Sequence, residues 1–445
     1  MLIRLLFVAA ETVGTVRSLR CWAGYAAQVT LTAAVIAAMC SLVETASSLG
    51  GEAGGALRSF TTPGIVASAA CAMIVTGSSA RATQASLRAL RSPWAAAGVT
   101  QHLARWAVAA QTICISAIAM SFGLLVARVA IATIASLEVG DHRIDLRFGG
   151  PTTIASMSIV ALTVLPSTIA ALRWPYRTLR KRTPLWQVIA FGAGAVLWAG
   201  TATWLVRSSV RSNSDVERDV GFSLLLLITL VVLVAVALTG CRTKLASLIR
   251  RIDAAPVHVV LGAGSGAAAL SRSLSSVAPI LVSVALTGGM VAVFMIGDAA
   301  SAEHHGSAEL STVNVGSILL TLSPVLLLAV GSSIIAHLTA HPSRAIDVRA
   351  MRAVGLRIRS VVSAGLFEAA LTAAIAALIT VGVVATACVP FALAAGLDLP
   401  DLVRAALNPV LVTLSGGIAS VMMLVAALTS LVRACLAGTG IGRSN

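Results

Sequence analysis

From Phe222 to Leu238, and again from Val277 to Gly297, the chain runs without a single charged side chain. A helix of about 20 apolar residues spans the hydrocarbon core of a bilayer. That length picks out ten segments, near 22–46, 62–79, 106–135, 151–172, 186–206, 220–240, 276–297, 315–338, 361–394 and 407–432. The third and ninth are longer than one crossing needs, which allows tilt or extension past the bilayer.

Composition fits this pattern. Hydrophobic residues fill 58% of 445 positions and charged ones 11%, against roughly a quarter charged in soluble domains. The expectation is an all-α, polytopic integral membrane protein. The net charge of +15 sorts by side. With the N-terminus cytoplasmic, most of the 32 basic residues fall in inner segments, in groups such as Arg81, Arg88, Arg91 and Arg105, or Arg344, Arg349, Arg352, Arg357 and Arg359. Of the 17 acids only Glu11, Asp253, Asp347 and Glu368 join them. Basic residues concentrate on the cytoplasmic side of membrane proteins, so both termini are expected inside. Short inner loops facing anionic lipid account for the positive charge, and nucleic acid is excluded as a partner.

The start, MLIRLLFVAAETVG, is interrupted by Glu11 and lacks a clean cleavage site, so it reads as an interfacial helix rather than a signal peptide. The seven cysteines avoid the outer loops and form no CxxC pair, which argues against a disulfide framework or a metal site. Glu303, His304, His305 and Glu309 share one short polar stretch and read as solvated loop. Arg128 lies toward an outer helix end, where its side chain snorkels. No GxxxxGK[ST] occurs, and LGAGSGAAAL at 261–270 lacks the lysine, so it reads as a linker. No grouping of residues suggests catalysis, and the chain is expected not to be an enzyme.

One arrangement occurs twice. Leu87–Leu90 reads LRAL and Met351–Val354 reads MRAV, and each leads into an unusually long span. Gly98 stands 13 residues before Gln111, and Gly355 stands 13 before Glu368. Two spans precede each copy within its half and two follow, which gives a 4+2+4 arrangement. Six crossings separate equivalent positions, so the halves would be pseudo-twofold parallel repeats about an axis along the membrane normal. The boundaries are an interfacial helix over 1–21, a first four-helix unit over 22–173, and a two-helix insert with its linkers over 174–267. A second four-helix unit covers 268–436, and a tail covers 437–445. At about 100° per residue, Val348, Met351, Val354, Gly355, Ile358 and Val362 share one arc, with Arg349, Arg352, Arg357 and Arg359 opposite. This is the pattern of an interfacial amphipathic helix.

The segments LRAL…GVT…Q and MRAVGLRIRSVVSAGLFEA resemble the signature before the third helix of FtsX-like ABC transporter permease domains. The second half follows that pattern through Arg352, Ala353, Val354, Gly355, Glu368 and Ala369. The first departs from it with an insert around 92–97 and Gln111 in place of the acid. LSRSLSSVAPILVSVALTGG, 270–289, also resembles the entry to such a unit. The resemblance covers 22–173 and 268–436 and implies the ten-helix type, with two FtsX-like units in one chain. It further implies a permease that works with a separate ABC-type ATPase, in two copies, which carries the ATP and Mg. This chain itself would hold no cofactor. Arg88, Arg91, Gly98, Gln111, Arg349, Arg352, Gly355, Arg357 and Glu368 would form the coupling and docking elements. The cargo would be hydrophobic or peptide-like, and the location a bacterial plasma (inner) membrane. The short outer connections depart from relatives with large extracytoplasmic domains. Two other classes stay open, an ion-coupled secondary transporter and a non-transporting membrane signalling scaffold.

Overall fold

The computed structural model describes residues 19–49, 61, 64–66, 68–77, 79–80, 83, 99–134, 136–139, 142–172, 185–211, 216–249, 259–260, 263–264, 277–305, 315–339, 353, 355–396 and 398–439. Almost all of them are helical. Six helices are long and apolar enough to cross a membrane: Trp22–Leu49, His102–Ile134, Gly150–Ile169, Ile280–Gly297, Ile358–Ala395 and Leu402–Thr429. By helix length and composition this is a membrane-embedded protein. Three more expected runs hold shorter apolar helices, Gly64–Gly77, Phe222–Val234 and Ser323–Ile335. The remaining run, 186–206, lies inside the helix Leu185–Arg211. Among the described residues, six of the ten expected runs thus hold helices of spanning length and composition.

In chain order the elements are α1 (Leu19–Leu49), α2 (Gly64–Gly77), α3 (Gln101–Ile134), β1 (Ser136–Val139), β2 (His142–Asp145), α4 (Gly150–Leu172), α5 (Leu185–Arg211) and α6 (Val216–Ile249). They continue as α7 (Val277–His305), α8 (Val315–Thr339), α9 (Ile358–Ala395), α10 (Leu399–Ala406) and α11 (Pro409–Thr439). The two longest expected spans become the 34 residues of α3 and the 38 of α9. At 1.5 Å per residue α9 reaches about 57 Å, well beyond a hydrocarbon core of about 30 Å.

Three local results correct the expectation of helices and bare loops. β1 and β2 pair antiparallel, with Val139 opposite His142, so the connection 136–150 begins with a two-stranded hairpin. Glu303, His304 and His305, expected in a loop, lie on the final turn of α7. The stretch 395–406, expected as an outer loop, holds the short helix α10. Its start is marked by Asp398 at the N-cap and Pro400 in the first turn, both ordinary start signals.

Helix ends follow known chemistry. α9 stops at Gly396, whose φ of 74° is left-handed and whose N–H reaches Ala392 O and Leu393 O. Glycine takes that conformation at no steric cost. Asn408 opens α11, its Oδ1 accepting the Leu411 N–H at 2.8 Å. Its Nδ2 donates to Gly288 O at 3.0 Å and Ala405 O at 2.9 Å. One buried amide thereby caps α11 and ties it to α10 and α7.

The chain divides into two compact units, Met1–Arg182 with Ser323–Ile335, and Thr183–Leu322 with Ala336–Asn445. In the first, α1 packs on α3 and α4, and α3 on α4. In the second, α7 packs on α9 and α11, and α9 on α11, while α5 and α6 pack on each other and against α9. The middle of α7 is enclosed, with every residue from Ile280 to Val293 buried. Gly288 and Gly289 make that possible. A Cβ at Gly288 would lie 2.5 Å from Leu411 Cδ1, and one at Gly289 2.5 Å from Leu227 Cδ2. Without a hydrophobic drive between helices in lipid, such close approach through small residues supplies the packing.

Candidate functional site

The coupling segment in the second half is built from backbone first. Gly355 has φ +87° and is exposed in a turn. That conformation is left-handed, and an L side chain there costs about 1–2 kcal/mol. A Cβ at this position would meet nothing within 4 Å, so dihedral strain, not crowding, is what glycine relieves. Arg357 follows in extended conformation (φ −70°, ψ 150°) as the N-cap residue of α9. Its carbonyl accepts the N–H groups of Ser360 at 3.0 Å and Val361 at 3.3 Å. The amphipathic helix expected over Val348–Val362 is therefore interrupted between Gly355 and Arg357, and the turn leaves Arg357 and Arg359 exposed at the mouth of the longest helix.

Glu368 lies deeper than the sequence suggested. α9 begins at Ile358, not 361, so Glu368 is its eleventh residue, about 15 Å along the axis. It is 7% exposed. The helix N-terminus is therefore too far away to act as its partner, because the dipole acts within the first turn. Thr372 Oγ1 donates back to Glu368 O at 2.8 Å.

The first half repeats this layout. α3 begins at Gln101, three residues after Gly98, just as α9 begins three after Gly355. Gln111 is likewise the eleventh residue of its helix and is buried, at 4% exposure. Thr112 Oγ1 donates to Val108 O at 2.8 Å. Arg105 is half-buried on the same first turns, and the exposed Trp106 donates from Nε1 to His102 Nε2 at 3.3 Å. Arg88, Arg91, Gly98, Arg349 and Arg352 lie outside the described residues, as does Glu309. The described part of each copy thus places a buried polar side chain at one depth.

Two polar features escaped the sequence reading. The first is a set of buried bonds along α1. Tyr25 Oη and Ser116 Oγ are 2.9 Å apart, Gln28 Nε2 donates to Ser332 Oγ at 2.7 Å, and Thr30 Oγ1 donates to Ala119 O at 3.2 Å. The second is a clasp at the other end of α1. Glu44 Oε2 accepts the backbone N–H groups of Gly149 at 3.1 Å and Thr152 at 3.2 Å, and also the Thr152 hydroxyl. It acts as an N-cap for α4, supplied from another helix. A Cβ on Gly149 would run into the Glu44 carboxylate. Nearby, Arg147 N donates to Thr45 Oγ1 at 3.0 Å. Neither feature has a local motif, because the partners lie about 90 to 300 residues apart.

Among the described residues, no cluster of three or more His, Cys, Asp or Glu could hold a metal ion. No family model, curated protein or solved structure matches the chain.

Proposed function

We propose that the chain is the transmembrane subunit of an ATP-driven transporter, a permease of the FtsX-like ABC type. One observation carries the reading, namely two long helices built alike. Each starts three residues after the glycine of a basic segment and buries a polar side chain at its eleventh position. The packing supports it. α1, α3 and α4 form a mutually packed trio in one unit, and α7, α9 and α11, their equivalents in sequence order, form one in the other. On this reading the chain crosses a bacterial plasma membrane ten times in a 4+2+4 order, with both termini inside. Separate ATPase subunits push on the turns before α3 and α9, through Arg88, Arg91, Arg349, Arg352 and Arg357. Rigid helices as long as α3 and α9 carry the push into the bilayer. The cargo is a hydrophobic or peptide-like molecule.

A second reading, an ion-coupled secondary transporter, draws on Glu368, since a buried carboxylate at membrane depth is costly and usually functional. The neutral Gln111 at the equivalent position of α3 weighs against it.

Topology tests the architecture on which both repeats depend. Single cysteines at Arg88 and Arg352 are expected to resist a membrane-impermeant thiol reagent in intact cells. Cysteines at Arg143 and Asp215 are expected to react. Opposite accessibility at Arg88 and Arg352 would exclude parallel repeats.

A further inference from the structure

Within the second unit, α5 and α9 do not close against each other along their whole length. Between them opens a lateral groove of about 420 Å³, lined by Trp198, Ala202 and Thr203 of α5 and by Ala385, Val389 and Pro390 of α9. Its volume falls in the range of about 300–1,000 Å³ typical of small-molecule sites. The space comes from sequence: Ala199, Ala202 and Ala385 are too short to fill it, and Pro390 interrupts the hydrogen-bond ladder of α9.

The groove's donors are already committed. Trp198 Nε1 donates to Leu226 O at 3.0 Å. Thr203 Oγ1 donates to Gly200 O at 2.9 Å, and Thr386 Oγ1 to Gly382 O at 2.7 Å. With no hydroxyl or indole proton left to offer, the lining favours an apolar body. One turn beyond Thr203, about 6 Å along α5, stands the exposed Arg207. It is the nearest cation on that helix past the groove, and an arginine in this position snorkels to the headgroup level. An apolar channel with a cation one turn beyond it matches an amphiphile whose anionic head sits a short distance from its chain.

We propose that this groove binds one anionic phospholipid, its acyl chain lying between α5 and α9 and its phosphate on Arg207. The match of charge and apolar surface singles out this occupant over a second copy of the chain, which would leave Arg207 buried and unpaired. On the orientation given above, the lipid comes from the outer leaflet. The site does not depend on an ATPase partner, so it stands or falls separately from the permease reading.

The test is native mass spectrometry of the full-length chain in detergent, titrated with dipalmitoyl phosphatidylglycerol and, in parallel, with dipalmitoyl phosphatidylcholine. The wild type is expected to retain one phosphatidylglycerol in preference to phosphatidylcholine. Arg207→Gln should weaken phosphatidylglycerol retention about fivefold, the loss of roughly one arginine–anion contact near a membrane surface, and remove the preference. Ala199→Phe, which fills the groove from an exposed position, should abolish retention, as should Ala385→Phe from the facing helix. Equal retention of the two lipids by the wild type, or full phosphatidylglycerol retention by both phenylalanine variants, overturns the proposal.

Discussion

Gly123→Val is expected to lower the unfolding temperature severely, although it adds only an isopropyl group to a helix that propensity alone would let carry it. A Cβ at Gly123 would sit on the carbonyl oxygen of Thr30, 2.7 Å from Ala33 Cβ and 3.2 Å from Ala34 N. Two of those three neighbours are backbone and cannot rotate away. The helices α1 and α3 would have to separate along their contact, breaking the Thr30–Ala119 bond and straining the Tyr25–Ser116 pair. Overpacking of a tight core costs about 1–3 kcal/mol. A rigid backbone neighbour places this substitution at about 3 kcal/mol or more, a large share of a typical 5–15 kcal/mol. Gly416→Ala provides the contrast. Gly416 is exposed on α11 with nothing within 4 Å of a built Cβ, so alanine there should gain up to about 1 kcal/mol of helix propensity. Thermal unfolding followed by size-exclusion chromatography reads both. A Gly123→Val protein that unfolds at the wild-type temperature would show that α1 and α3 do not pack this closely.

The second large effect concerns coupling. Replacing Arg349, Arg352 and Arg357 with Glu should leave the protein inserted, because the other inner arginines still set orientation. It should nevertheless abolish association with the proposed ATPase. Reversing three charges on a docking surface places like charges together, which costs several kcal/mol, and about 3 kcal/mol already weakens binding more than 100-fold. Of the three, Arg357 is seen exposed at the N-cap of α9, immediately after the left-handed turn at Gly355. Glu368→Gln should be far milder, because Gln111 already occupies the eleventh position of α3. Pull-down of the ATPase by each variant is the measurement. Unchanged association of the triple variant would remove the docking role.

The sequence revealed the long helices because lipid imposes one rule on every crossing, an unbroken apolar run with all backbone groups bonded internally. That rule drew α7 to within a residue of its observed start and marked α9 as the longest, though it missed that α6 equals the 34 residues of α3. The periodicity reading failed at Gly355, where an amphipathic helix was expected and the backbone turns left-handed instead. Start signals before α10, Asp398 and Pro400, were present in the residues but were hidden by the apolar reading of their surroundings. Long-range geometry was not legible. Glu44 looks like any acid near a helix end until the chain returns 105 residues later to place Gly149 against it. Gly123 and Gly416 are the same residue in similar apolar helices, and only the neighbour that α1 provides separates them. Glu368 was placed too shallow because its helix starts three residues earlier than hydropathy alone indicates.

The most direct measurement is the composition of the complex in native membranes. The tagged chain, cross-linked in place, extracted gently and examined by mass spectrometry, should bring with it a protein carrying a P-loop, at two copies per chain. Two copies would match the two turns before α3 and α9 as paired docking points. Reproducible absence of any P-loop protein after cross-linking would contradict the permease reading and favour a transporter driven by ions.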